Sequence, residues 1–406
     1  MAERSQKIRE RDVQGLKYFR KLRPLFDRLH TVGCARDRAG NRQLHFDQYC
    51  CLVMLFMFNP IVSSLRAMQQ ASELKNVQRK LGCQRAALGS LSESARVFDP
   101  SLLQEVVQEL GAQLMPIARD PRLADVQHMV TLVDGTLLKA LPRIAEAMWL
   151  TTRTGTAHHA WRLHTHFELD KSVPTRMDLT VGRNSGDSDE REVLKQHLQQ
   201  DRCYVMDRGY AKFTLFNAIH EHGSSYVCRV RDNSVYDVVE DRPLTDEDGE
   251  AGVLSDQIVG LGVGSNPTKR PNHPVRLICV QTTPHDKRSN RKGNTGAGPS
   301  DGVLRIATNL LDVPASVIAL LYRYRFTIEV FFRFFKHVLG CRHLLSDSRR
   351  GIEIQVYCAI IACMLISLYT GRKPTLRTYE MVCYYFTGLA DEDELLAHIA
   401  KLKTQI

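Results

Sequence analysis

The sequence predicts a mixed α/β protein: one sheet with helices packed against it, preceded by a helical region and interrupted by a mostly β segment. Three observations predict this. Apolar residues fall at helical spacing through much of the first 125 residues. From residue 126 the pattern changes to short apolar runs and period-two alternation, in the order strand, strand, strand, helix, strand. A second set of strand-like runs then leads into a long, aromatic-rich helix.

Composition bounds the function. The chain has 406 residues, 43% hydrophobic and 25% charged, so it can bury a sizeable core and is not disordered throughout. At ~100–200 residues per domain it should hold two or three domains. Lys and Arg number 55 against 45 Asp and Glu, and the +10 balance favours a polyanionic partner. Eleven scattered cysteines with no CxxC pair argue against a disulfide scaffold and a thiolate zinc knuckle. The opening MAERSQKIRERD lacks the apolar run of a signal peptide, so the expected location is cytoplasmic.

Leu16, Phe19, Leu22, Leu25, Phe26 and Leu29 form a helical stripe. Phe46 to Phe58 is apolar enough to cross a core, and Ser63 to Leu74 returns to helical spacing. Over residues 1–100, 18 basic side chains face 9 acidic ones. A basic helical region suits phosphate contacts, though an ordinary charged helix surface gives the same count. Ile352 to Tyr369 is about one membrane span long. A buried core helix is the expectation there, with no membrane contact.

Residues 126–136, VQHMVTLVDGT, read as a buried strand running into a turn. WRLHTHFEL alternates as a second strand, and RMDLTVG is a third. Ser188 to Gln200 reads as a helix capped by Ser188, with Glu190 to Glu192 in its first turn. CYVMD is a short strand ending in Asp207. SSYVCRVRDNSVYDVVE, PVRLICVQTT and VLRIATNL supply further strands, separated by an acidic loop at Asp246 to Glu250 and a polar loop at 284–302. Asp312 and Pro314 fit the start of the long helix that follows.

Leu320 to Gly340 should be one helix ending near Gly340. Tyr322, Glu329 and Lys336 are seven apart and share a face, with Arg325 and Arg333 four residues either side of Glu329. An exposed i,i+4 ladder would explain this spacing, at only ~0.2–0.5 kcal/mol per pair. A sharper account has Glu329 holding a divalent cation while the basic side chains grip phosphates. That needs more carboxylates. Asp134 and Asp207 each follow an apolar run where a strand should end, with Gly135 and Gly209 close behind. On neighbouring parallel strands, both would leave the same sheet edge. Their repulsion would then be relieved by a hard cation such as Mg²⁺ or Mn²⁺. Three carboxylates can hold two ions roughly 4 Å apart for in-line phosphoryl transfer. Tyr322 could bond a phosphate or stack on a base, and Arg325, Arg333 and Lys336 would neutralise phosphates. His158, His159, His164 and His166 form a patch whose spacing permits zinc, but no HExxH motif accompanies it. The glycine-rich GLGVGSNPTK lacks the GK[ST] ending of a nucleotide loop.

Tyr322, Arg325, Glu329 and Lys336 reproduce a Y-(2)-R-(3)-E-(6)-K signature without a gap. With VDG at Asp134 and MDRGY at Asp207, the chain resembles the DDE transposases of bacterial insertion sequences, in the subgroup that signature defines. The resemblance covers residues 126 to about 370. It implies a ribonuclease-H-like catalytic core in which Asp134, Asp207 and Glu329 are catalytic and hold two Mg²⁺ ions. It also implies a mostly β insertion, and 121 residues lie between Asp207 and Glu329. The expected division is a helical end-binding region (1–125), a core in two parts (126–215 and 306–370), the insertion (216–305) and a C-terminal helical pairing region (371–406). Family members bind terminal inverted repeats, pair the ends, release DNA by hydrolysis and join 3′-hydroxyls to target DNA. Hairpin-forming members use a tryptophan in the insertion. Here Trp149 and Trp161 both precede it, so either another aromatic such as Tyr226 or Tyr236 serves, or the route differs. A metal-dependent nuclease without strand transfer, and a non-catalytic DNA-binding descendant, are the alternatives.

Overall fold

The computed structural model describes residues 19–31, 41–116, 119–139, 148–151, 157–181, 186–262, 270–283, 301–338, 344–346 and 348–402. The described chain starts with α1 (Phe19–Thr31), α2 (Phe46–Phe58), α3 (Leu65–Ser72), α4 (Lys75–Leu81), α5 (Leu88–Val97) and α6 (Ser101–Gln113). Helix α2 is apolar on nearly every side and correspondingly buried along its length. Strands β1 (Met129–Lys139), β2 (Met148–Thr151), β3 (Ala157–Glu168) and β4 (Val173–Val181) follow. Next come α7 (Glu190–Gln196), β5 (Arg202–Met206), α8 (Phe213–Glu221) and β6 (Ser225–Arg229).

These strands form a ribonuclease-H-like sheet. β4, β3 and β1 are antiparallel neighbours, and β5 and then β6 run parallel to β1. The parallel pairs need crossovers, which α7 and α8 supply. Side chains of β5 alternate between faces. Cys203 and Val205 enter a core shared with α2, α6 and α12, while Tyr204 and Met206 pack with Leu215 and Phe216 of α8.

The same sheet continues past β6. β7 (Tyr236–Arg242), α9 (Asp246–Glu250), β8 (Val253–Leu261), β9 (Val275–Gln281) and β10 (Val303–Thr308) come next in sequence. In space the order runs β6-β10-β9-β8-β7, all antiparallel. The chain closes with α10 (Ala315–Tyr324), α11 (Phe326–Val338), α12 (Arg349–Thr370), α13 (Leu376–Thr387) and α14 (Glu392–Ala400). Helix α12 is long and apolar enough to cross a membrane, but 83% of its apolar window is buried against the rest of the protein. It packs on α2, α5, α6 and β4.

Four expectations need correction. The helix after β4 begins at Glu190, is capped by Asp189 rather than Ser188, and ends at Gln196. Asp246 to Glu250 is not a loop but a short helix, because Thr245 and Asp248 form a reciprocal capping box. Strand β8 was not expected, and a register shift near Val253 breaks its alternation. The long helix is two helices, α10 and α11, joined at Arg325. There the backbone bonds tighten to three-residue spacing, from Arg325 N–H to Tyr322 O and from Ile328 N–H to Arg325 O.

Helix α9 and strands β8 and β9 also brace the start of α10. Asp248 Oδ1 accepts from the Ser316 backbone N–H at 2.7 Å. Buried Arg276 on β9 forms a two-pronged pair with buried Asp256 on β8, at 2.7 and 2.6 Å. Its remaining nitrogen donates to the carbonyls of Leu310, Leu311 and Val313, just before the helix.

Candidate active site

The site is built on the parallel pair β1 and β5. Their pairing ends at Val133 opposite Met206, so Asp134 and Asp207 are the next residue on each strand. They leave the sheet together, as expected. Asp134, however, does not end its strand: β1 runs on to Lys139 because β3 still pairs with it, Thr165 opposite Asp134. Asp207 does turn the chain, its Oδ1 accepting the Gly209 N–H at 2.6 Å. Asp134 Oδ1 accepts the Gly135 N–H at 2.8 Å.

Burial pushes the Asp134 carboxyl up to about 7. The Gly135 N–H and the Arg325 guanidinium oppose the rise, while the charges of Asp207 and Glu190 add to it.

Arg325 stands at the joint of α10 and α11, buried, and bridges the carboxylates. Its Nη1 is 3.5 Å from Asp134 Oδ2 and its Nη2 is 2.7 Å from Glu329 Oε1. Glu329 sits in the first turn of α11 with its side chain 45% exposed, so it can move. Tyr322 is buried, its ring centroid 5.8 Å from the Arg325 guanidinium, and burial raises its hydroxyl to about 12. That places it as a support for Arg325. Lys336 donates to Thr136 Oγ1 of β1 at 2.5 Å, and Arg333 is exposed. The signature residues of α10 and α11 thus lie beside the strand that carries Asp134.

Among the described residues, no three carboxylate, imidazole or thiol groups stand close enough to hold a metal ion as they are. The donor chemistry nevertheless suits Mg²⁺. All the candidate ligands are carboxylate oxygens, and Asp134 and Asp207 repel each other across the sheet edge. Glu329 would have to leave Arg325 to join them.

The sequence reading missed Glu190 as a site residue, taking it only for a first-turn charge on α7. It pairs with Arg162 of β3, both side chains largely buried, and its carboxyl is raised chiefly by burial.

The histidine patch is packing. His164 and His166 are buried on β3, with His164 Nε2 2.8 Å from Thr180 Oγ1 and His166 edge-on to Tyr204. The side chains of His158 and His159 lie outside the described residues. Burial lowers His164 to about 4 and His166 to about 3. Unfolded, each takes up a proton near pH 6.5; folded, neither does until far lower. Their contribution to stability is therefore complete above pH 6.5 and is lost as the pH falls, by about 2 kcal/mol per histidine at pH 5. Urea unfolding at pH 7 and pH 5 should show that loss, and His164→Gln should flatten the difference by about its share. Equal pH dependence in the variant would contradict this assignment.

The two tyrosines suggested for a flipped base differ in exposure. Tyr226 is fully buried and stacked on Phe216, which removes it, whereas Tyr236 on β7 is half-buried. Trp161 is buried in the core, and the Trp149 side chain and residues 263–269 of the glycine-rich segment lie outside the described residues.

Residues 126–365 match the family model described as "Transposase DDE domain". A protein of Sinorhizobium fredii named as a transposase, y4zB, is 24% identical over 51% of this chain and 52% of its own. One from Geobacillus stearothermophilus, named as a transposase for insertion sequence element IS5377, is 26% identical over 56% of this chain and 55% of its own. The chain thus spans about half the length of these curated relatives. The piggyBac transposase in a synaptic complex with hairpin DNA gives a TM-score of 0.41 at 10% identity, covering 89% of this chain and 77% of that one. That likeness is too distant to carry an argument.

Proposed function

We propose that this chain, which belongs to the family of transposases with a DDE domain, cuts DNA at the terminal inverted repeats of its own insertion sequence and joins the 3′-hydroxyl ends to target DNA. The observation that carries the reading is the meeting of Asp134, Asp207 and the Arg325–Glu329 pair at one edge of the sheet. The placing of Tyr322, Arg325, Glu329 and Lys336 along α10 and α11 supports the Y-(2)-R-(3)-E-(6)-K subgroup.

Asp134, Asp207 and Glu329 would hold two Mg²⁺ ions, which supply activation of the attacking water or 3′-hydroxyl and stabilise the leaving oxygen. The protein's own side chains do the rest. Arg325, Arg333 and Lys336 take the phosphates that flank the scissile bond. Tyr322 backs the Arg325 guanidinium and keeps it over the site. The partners are double-stranded DNA bearing the inverted repeats, the target duplex, and a second copy of the chain when two ends are paired. The basic helices of residues 1–125 are the region for end binding, and α13 and α14 are the region for pairing. The work is done in the bacterial cytoplasm, at the nucleoid.

Duplexes ending in the element's repeats, incubated with a target plasmid, should be cut and joined with Mg²⁺ or Mn²⁺ and left intact in EDTA. Nicking without joining would favour a metal-dependent nuclease. Arg333→Ala should weaken binding of any duplex about equally and lower the slope of log affinity against log salt by about 1. An unchanged slope would remove Arg333 from the phosphate contacts.

A further inference from the structure

We propose that Glu190 is a fourth carboxylate of the cation site, joining Asp134, Asp207 and Glu329. This rests on the metal-dependent reading above and adds a residue that the three-acid pattern does not contain.

Two glycines border Glu190. A Cβ at residue 135 would lie 2.5 Å from Glu190 Oε1, so Gly135 leaves room for that carboxylate directly after Asp134. A Cβ at residue 209 would lie 2.9 Å from Asp207 Oδ1 and 3.8 Å from Glu190 Oε2. Glu190 therefore reaches from the backbone beside one aspartate to the backbone that binds the other. The charge of Asp207 acts on Glu190, and that of Glu190 on Asp134, so the three carboxylates need positive charge to compensate them. Arg162 supplies some, pairing with Oε1.

Tyr210, which is not an acid, supplies a second observation. Tyr210 is fully buried, two residues past Gly209's neighbour Arg208, and its hydroxyl has no hydrogen-bond partner among the described residues. Apart from burial, the charges that act on it most are those of Glu190, Asp134 and Asp207. A buried hydroxyl left unsatisfied in the field of three carboxylates marks a place where a hydrated cation would complete the bonding. Arg162 is then the counter-ion that holds Glu190 until a cation takes its place.

Mn²⁺ alone, titrated into the full chain without DNA and followed by electron paramagnetic resonance of the free ion, tests this. Glu190→Gln should weaken Mn²⁺ binding at least about tenfold, while its melting temperature in EDTA holds or rises. Arg162→Met, which removes the ion pair but keeps the carboxylate, should bind Mn²⁺ as tightly as wild type or more so. Mn²⁺ affinity unchanged in Glu190→Gln, with a lower melting temperature in EDTA, would overturn the proposal and leave Glu190 a structural partner of Arg162. Equal weakening in Arg162→Met would overturn it too. Unchanged affinity in Asp134→Asn is the separate result that would sink the metal reading itself, and Glu190 with it.

Discussion

Replacing Asp134 or Asp207 with Asn is expected to lower the rate of DNA strand cleavage at least about a hundredfold, with DNA affinity kept. The two carboxylates follow the last paired residues of two parallel strands, so the sheet itself fixes their spacing. Both side chains are only half-buried, and each caps its own local turn or strand through one backbone N–H. An amide can accept those same bonds, so the fold should survive. What the amide cannot do is bind a divalent cation with comparable strength. Single-turnover cleavage across a Mg²⁺ titration, paired with a gel-shift measurement, separates the two effects. A variant that cuts at the wild-type rate would remove that aspartate from the chemistry.

The largest expected effect on stability lies away from the site, at Arg276. Its guanidinium and the Asp256 carboxylate are both buried, and it also serves three carbonyls at the entrance to α10. Arg276→Met leaves a buried charge without its partner and those carbonyls without a donor. The expected cost is about 3–5 kcal/mol, read by urea unfolding. The double replacement Arg276→Met with Asp256→Leu should recover a good part of it, since no lone charge remains. A single-variant cost below about 1 kcal/mol would show that water reaches the pair. Through this pair, β8 and β9 fix the start of the helix that leads to Arg325.

Much of this architecture could be read in the sequence, for identifiable reasons. The inner strands β1, β5, β6 and β9 are short apolar runs because both faces of the sheet are covered there. Asp134 and Asp207 stood out because a charge ending such a run is conspicuous. β8 did not, since its half-buried positions and its bulge dilute the alternation. The break at Arg325 carries no proline or glycine. It coincides instead with contacts to Asp134, a strand far back in the chain, and local pattern does not report such contacts. Glu190 was hidden in the same way. On α7 it looks like a first-turn acid suited to the helix dipole, and only the folded sheet brings it beside Gly135 and Gly209.

Glu329 is expected to work with the two aspartates although Arg325 pairs with it in the folded chain. The most direct test compares wild type with Glu329→Gln on labelled duplexes carrying the element's terminal repeats, with Mg²⁺ and a target plasmid. Wild type should cut and join the ends, while the variant should bind them and do neither. A Glu329→Gln protein as active as wild type would contradict it, because the glutamate of the site would then lie elsewhere.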